Sequence, residues 1–426
     1  MTFRFQGVVM GNIQSSAFIK SSPLIADLAV KWGACGGLPL RKMGVDRILS
    51  DSIHPHQRRR GVTIVLSLFL ISALLVVSAV MLDFSRISIA RDELQRSADA
   101  TALAACWQLF DDKVRMRTLG ETTTNAQQTS SKVAAENQIA NQSPTLSGIL
   151  GDLQLGSFSF GSSGFSLTNR VADLNAVRVN LRRQAAVNGE VPLFFSSFHG
   201  RERQELQSTA TAALISTITG FYLPSFEQQN LQILPFALDL ETWMDMTNGE
   251  TSDTFQCFGT NVSLGSDGYH ECNLYPQGTG SPGNRGTVDI GSSNNSTADI
   301  RRQVIHGISR QDMIDLGKPL LLDANGELLL NGDTGISAAV KDDLAAIIGQ
   351  KRIIPIFVTV SGNGNTAWYK IVRFEGVRIL DVKLTGAMNQ KRVIIQPAPM
   401  IARCSVVNKD ASQTTSTLYA PVMLVE

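Results

Sequence analysis

One stretch limits what this chain can fold into. Val62 to Leu82 reads VTIVLSLFLISALLVVSAVML, twenty-one residues without a charge, a proline or a glycine. A helix needs about 20 such residues to cross the hydrocarbon core of a bilayer. A helix buried in a globular core keeps a polar stripe, whereas this run is apolar nearly all round. It therefore predicts a spanning helix bounded by Val62 and Leu82. Lys and Arg near the ends set orientation. Arg41, Lys42, Arg47 and the Arg58-Arg59-Arg60 triplet precede the run, while Arg86, Arg91 and Arg96 behind it alternate with Asp83, Asp92, Glu93 and Asp99. The basic excess hard against the N-terminal end places the N-terminus inside and everything after residue 83 outside. Val77-Ser78-Ala79 offers small or aliphatic residues to a signal peptidase. The run is longer than a typical h-region, however, and a helical pattern continues through that point, so an uncleaved anchor is expected.

No Gly or Pro falls between Val62 and Leu119, although the chain holds 35 and 14 of them. Beyond the apolar run, Ile87, Ala90, Leu94, Ala98, Ala102, Ala105 and Leu109 recur at spacings of three and four, one face of a helix. Unbroken, the helix would be roughly 85 Å long at 1.5 Å per residue. Alanine favours the helix and lets another element approach closely. Either the stripe packs on its own domain or it faces a partner. Asp83, where the helix leaves hydrocarbon, is placed to reach headgroups or to pair with Arg86 one turn on.

The arginine triplet, the apolar span and LDFSRISIARDELQRSADATALAAC (Leu82 to Cys106) resemble the TadE/TadG-like Flp (tight-adherence) pilus-assembly proteins. Asp83, Arg86, Arg91, Leu94-Gln95, Ser97, Ala98, Asp99, Ala100 and the alanines around Ala102 carry the likeness. Asn175 to Arg183, Val191 to Phe195 and Ser208 to Leu214 resemble the end of that family's N-terminal extracytoplasmic unit, so the likeness runs from residue 58 to about 220. The resemblance implies a bacterial inner-membrane protein with a single span and its mass in the periplasm. It also implies a structural role through contacts with other pilus-assembly proteins or pilin subunits, without an enzymatic site or a cofactor. Prepilin peptidase substrates carry Glu five residues past a Gly; here Leu66 stands at that distance from Gly61. A fixed, TadG-like assembly component is expected over a processed pilin.

Four domains are expected: a cytoplasmic tail at 1–57 (Met43 offers a later start), the anchor and extended helix at 58–119, a TadE/TadG-like extracytoplasmic domain at 120–220, and a C-terminal extracytoplasmic domain at 221–426. Residues 120–143 read as a polar helix or linker, and 150–166 as strands with glycine turns. From Thr247 to Asn295 the chain is rich in Gly, Ser, Asn and Thr and reads as loop. Ser296–Ile308 and Ser337–Ile348 are helix candidates. Leu320–Leu322 and Leu328–Leu330 read as a hairpin around an Asn-Gly turn. Ile353–Val360, Ala367–Phe374, Val377–Leu384 and Arg392–Gln396 are strand-like. The fold class is α+β: one transmembrane helix extended into a long extracytoplasmic helix, then a mixed, largely antiparallel region.

A net charge of +1 gives no electrostatic case for nucleic acid. Gly278-Thr-Gly280-Ser-Pro-Gly283 has the letters of a dinucleotide fingerprint without the flanking strand and helix, and Walker A, G-x-S-x-G and H-E-x-x-H motifs are absent. His270-Glu271-Cys272 with Cys257 lacks four ligands at metal spacing. Asp289-Ile-Gly291-Ser-Ser293 is similar to a von Willebrand A metal-adhesion loop but follows no apolar strand. Asp323-Ala-Asn325-Gly326-Glu327 starts like a calcium loop and lacks the later ligands. No small-molecule substrate is indicated. Cys257 and Cys272, with fourteen residues between them in a stretch with little core, are expected to form a disulfide, leaving Cys106 free or cross-linked between chains. Two other functions stay open: surface adhesion through an external ligand bound by the C-terminal half, and extracytoplasmic hydrolysis there.

Overall fold

A computed structural model describes residues 60–425, apart from 162–163, 196–199, 227–228, 276–284, 292–295, 363 and 410–414. The 1–57 tail, the fingerprint-like glycines at 278–283 and the end of the Asp289 loop thus lie outside the described residues. All sheets belong to one compact unit, Leu66–Glu426.

Helix α1 runs without interruption from Arg60 to Val114, 55 residues. Its first part is long and apolar enough to cross a membrane, and nearly every side chain from Val62 to Leu82 is exposed, Ala79 being buried. From Asp83 onward the helix acquires a buried face. It ends five residues before the expected Leu119, where Met116 adopts a left-handed backbone, φ 47°. Thr118 then caps α2 (Leu119–Glu136) through a reciprocal box with Glu121. The polar 120–143 stretch is therefore mostly helix, burying Thr122, Ala126, Ser130 and Ala134 at four-residue spacing.

The chain then forms β1 (Leu153–Ser159), β2 (Gly164–Leu167), β3 (Ala176–Arg183), β4 (Val191–Pro192), β5 (Arg203–Gln204) and β6 (Leu206–Ala213). β2, β1, β3 and β6 lie side by side, all antiparallel. The pleat turns Val177, Val179 and Leu181 of β3 to one face, where they share a core with Ala90, Leu94, Ala98, Ala102, Ala105 and Leu109 of α1. The alanine stripe is thus covered by the chain's own sheet. Of the two roles open to it, packing within the chain is the one it has.

Next come β7 (Ile218–Phe221), β8 (Phe236–Asp239), α3 (Leu240–Asn248), β9 (Phe255–Phe258), β10 (Asn261–Leu264), β11 (Cys272–Tyr275) and β12 (Gly286–Val288). α4 (Thr297–His306), α5 (Arg310–Asp315), β13 (Leu320–Leu321), β14 (Leu328–Asp333) and α6 (Lys341–Ala346) follow. The last elements are β15 (Lys351–Ser361), β16 (Ala367–Lys383), β17 (Arg392–Pro397), β18 (Met400–Ile401), β19 (Ser405–Val407), β20 (Leu418–Tyr419) and β21 (Met423–Leu424). Seven strands pair in the order β11-β17-β16-β14-β12-β8-β15, and β15 pairs again with β16, closing five of them into a ring. Closure leaves those five without a free edge. Only β8–β15 is parallel in this sheet. Ile353 and Phe357 of β15 face one core, while Ile354 and Ile356 face another shared with Trp243 of α3, Val304 of α4 and Leu344 of α6. The α+β expectation holds, with largely antiparallel pairing.

Three local expectations change. The loop-like 247–295 stretch contains β9 to β12, strands of three or four residues, too short to show a period against the Gly, Ser, Asn and Thr around them. The two strands expected at 367–374 and 377–384 are one, β16. Gly376 at its middle lies where a Cβ would stand 2.5 Å from the Ala398 carbonyl oxygen, so glycine lets the chain cross there. The Asp323–Glu327 turn forms, with the Asp323 N–H donating to the Glu327 carbonyl at 2.8 Å. Its arms do not make a hairpin: β13 pairs with β7, whereas β14 pairs with β12 and β16. Finally β21 returns to pair with β6, completing the first sheet.

Candidate functional site

The residues quoted for the family likeness converge where α1 leaves its apolar run. Asp83, the first residue past Leu82, is 2% exposed. Its carboxylate accepts the backbone N–H of Phe194 at 2.7 Å and of Phe195 at 3.0 Å. Such charge-assisted bonds are roughly twice as strong as neutral ones. The side chain thus turns inward and holds the chain where it leaves β4 toward the hairpin tip. The Arg86 guanidinium lies 4.2 Å from the centroid of the Phe194 ring, a cation–π contact on the same segment.

Further along α1 the pattern repeats. Glu93 accepts the N–H of Ala140 at 2.8 Å. Gln95 accepts the Ser208 hydroxyl of β6 and donates to Asp99 at 2.7 Å. Ala98 and Ala102 are fully buried between these polar contacts. From the sheet side, Arg183 at the end of β3 donates to the carbonyls of Ile139 (2.6 Å), Gly189 (2.9 Å) and Glu190 (3.3 Å). Burial, then the charge of Arg86, holds the Arg183 guanidinium below the ordinary arginine value. The motif residues therefore act as latches and spacers that dock the first sheet onto the helix. What they leave open is the opposite face of α1, where Ile89, Arg91, Asp92, Arg96 and Trp107 are exposed.

In the C-terminal half the expected bridge is not made. Cys257 sits on the β9–β10 hairpin and Cys272 on β11 of the large sheet, and both are free thiols. Cys272 is buried beside the Arg285–Asp239 ion pair, and burial pushes its thiol up to about 12. Cys106 is free and fully buried in the α1 core, its thiol likewise raised to about 12, so it is closed to cross-linking between chains. Among the described residues, no three His, Cys, Asp or Glu side chains gather as a metal site. Glu271 spends its oxygens on the N–H groups of Thr254 and Phe255, at 2.9 and 2.7 Å. Burial, and then Asp299, raises Asp289 to about 6.

One structural carboxylate had no signal in the sequence. Glu375, fully buried on β16, accepts from the N–H groups of Ser416 (3.0 Å) and Thr417 (3.0 Å) and from the Thr417 hydroxyl (2.7 Å). Its partners lie some forty residues away, so only the assembled fold reveals it.

Two family descriptions match the chain. Residues 61–115 match the Flp pilus-assembly TadE/G-like family, and residues 98–212 match the Tad-like Flp pilus-assembly family. Their combined span begins beside the apolar run and ends within β6, so it coincides with α1 and the sheet latched to it. No curated protein and no solved structure matches the chain.

Proposed function

The chain is TadE/TadG-like over residues 61–212, and from that premise we propose a fixed, non-catalytic component of a bacterial Flp pilus-assembly apparatus. Val62–Leu82 anchors it in the inner membrane as a single uncleaved span, N-terminus in the cytoplasm and folded mass in the periplasm. One observation carries this proposal: α1 passes without a break from an exposed, uncharged and largely apolar stretch into a face buried by its own sheet. A helix so built holds a folded head at a fixed place beside the bilayer. Contacts with other assembly proteins or pilin subunits use the face of α1 that the sheet leaves open, around Arg91, Asp92 and Arg96. The test is deletion of the gene, with complementation by wild type and by Arg91→Glu/Arg96→Glu at matched membrane levels. Loss of surface pili on deletion, restored by wild type and not by the charge-reversed form, is expected. Wild-type pilus numbers in the deletion strain would reject an assembly role.

A further inference from the structure

The Asp83 latch fixes a height. Val62–Leu82 has twenty-one residues, about 31 Å of helix at 1.5 Å per residue, close to the roughly 30 Å of a hydrocarbon core. Asp83 is the next residue, and the amides of Phe194 and Phe195 lie within hydrogen-bond distance of its carboxylate. Whatever level the end of the apolar run takes, Phe194 and Phe195 take too.

The described residues that lead from β4 into the β4–β5 hairpin tip are apolar, Leu193, Phe194 and Phe195. Phe194 is 67% exposed, and Phe84, beside Asp83 on α1, is 71% exposed. Leu193 and Phe195 are half-buried on either side of Phe194. Arg86 covers the Phe194 ring, and on the returning arm Arg201 and Arg203 are exposed with Glu202 exposed between them. Rings that reach into acyl chains, with guanidinium groups reaching to phosphates at the same depth, are the chemistry of a bilayer's interfacial zone. We propose that Phe194, where the chain leaves β4, is seated together with Phe84 in the headgroup region of the periplasmic leaflet. The head then rests on the lipid surface at a second point beside the span. This proposal depends on Val62–Leu82 being the anchor, and it adds a lipid contact made by a segment more than a hundred residues away in sequence.

The test uses the full chain reconstituted into phosphatidylcholine/phosphatidylglycerol vesicles whose lipids are brominated high on the acyl chain, a short-range quencher of tryptophan. Phe194→Trp reports the proposed seat, with the wild-type signal subtracted. Phe84→Trp is the positive control on the helix. Phe258→Trp is the negative control: Phe258 is 89% exposed and lines a cavity with Val114, thirty-one residues further along α1 than Asp83, or about 45 Å. Fractional quenching of Phe194→Trp is expected to be at least threefold that of Phe258→Trp and to approach that of Phe84→Trp. Should Phe194→Trp not accumulate, Leu193→Trp reports the same segment. If Phe84→Trp is quenched while that reporter matches Phe258→Trp, the seat is wrong and the anchor stands. Failure of the chain to float with the vesicles would remove both.

Discussion

Ala98 and Ala102 lie one turn apart on α1, and neither exposes any surface. Opposite them stand Val177, Val179 and Leu181 of β3 and Ala210 and Ala212 of β6, in the same core. Replacing both alanines by leucine adds six carbon atoms to a fully buried face. Overfilling a packed core typically costs about 1–3 kcal/mol per site. Simple addition gives about 2–6 kcal/mol, from which coupling between two sites in one core will depart. A domain is stable by only about 5–15 kcal/mol. Ala98→Leu/Ala102→Leu should therefore lower the urea midpoint of the detergent-solubilised full chain and reduce its steady-state level, with pilus number falling in proportion. Exposed Arg91→Ala is the matched control for stability. A double variant that unfolds with the wild-type midpoint and accumulates normally, yet makes no pili, would show that the stripe faces a partner and not the sheet.

Asp83→Ala leaves the N–H groups of Phe194 and Phe195 without their acceptor. Hydrogen bonds to a charged group contribute about 1.5–3 kcal/mol each, so amide exchange of a peptide covering 191–206 should accelerate at least tenfold, and unchanged protection would remove the latch. Asp289 holds its proton more tightly folded than unfolded, with a value raised from 3.8 to about 6. Its contribution is complete below about pH 4 and is lost as pH rises through about 6. Asp289→Asn should thus raise the thermal midpoint at pH 8 and match wild type near pH 3.5; a gap independent of pH contradicts this. Native alkylation should modify half-buried Cys257 and Cys404 before buried Cys106 and Cys272, and a non-reducing peptide map joining Cys257 to Cys272 would overturn the structure at that point.

Periodicity made α1 legible, because a 3.6-residue stripe is local and survives any tertiary context. The same holds for Ser296–Ile308, found as α4, and for Ile353–Val360, found as β15. The role of the stripe was not legible, since a run of alanines looks the same whether a sheet or a partner covers it. The Asn-Gly turn at 325–326 was read correctly and the hairpin was not, because turn chemistry constrains five residues and says nothing about where each arm finds its ladder. Cysteine spacing misled for a similar reason. Fourteen intervening residues can close a loop, yet β11 carries Cys272 into the large sheet while Cys257 stays on a separate hairpin. Asp83 shows the limit most clearly. Its neighbours along the helix suggested an interfacial charge, and its partners are amides 111 and 112 positions away.

The strand Met423–Leu424 completes a sheet whose other members end at Ala213. For a chain made N-terminus first, β6 therefore emerges some 210 residues before its neighbour, a delay of about 10–40 s at typical synthesis rates. Throughout that interval the Ala212–Ala213 end of β6, the part that Met423 and Leu424 later pair with, is an unpaired edge open to a strand from any nascent neighbour. Protection falls to the residues themselves: LQSTATAA alternates small and hydroxylated side chains and offers little apolar surface for a stray strand to bury. Hydrophobic substitutions at the exposed Thr209 and Gln207 would remove their hydrogen bonds to the Asn180 side chain and also raise the aggregation of newly made chains, so the two effects separate by comparing the stability of the mature fold with the yield of newly made protein.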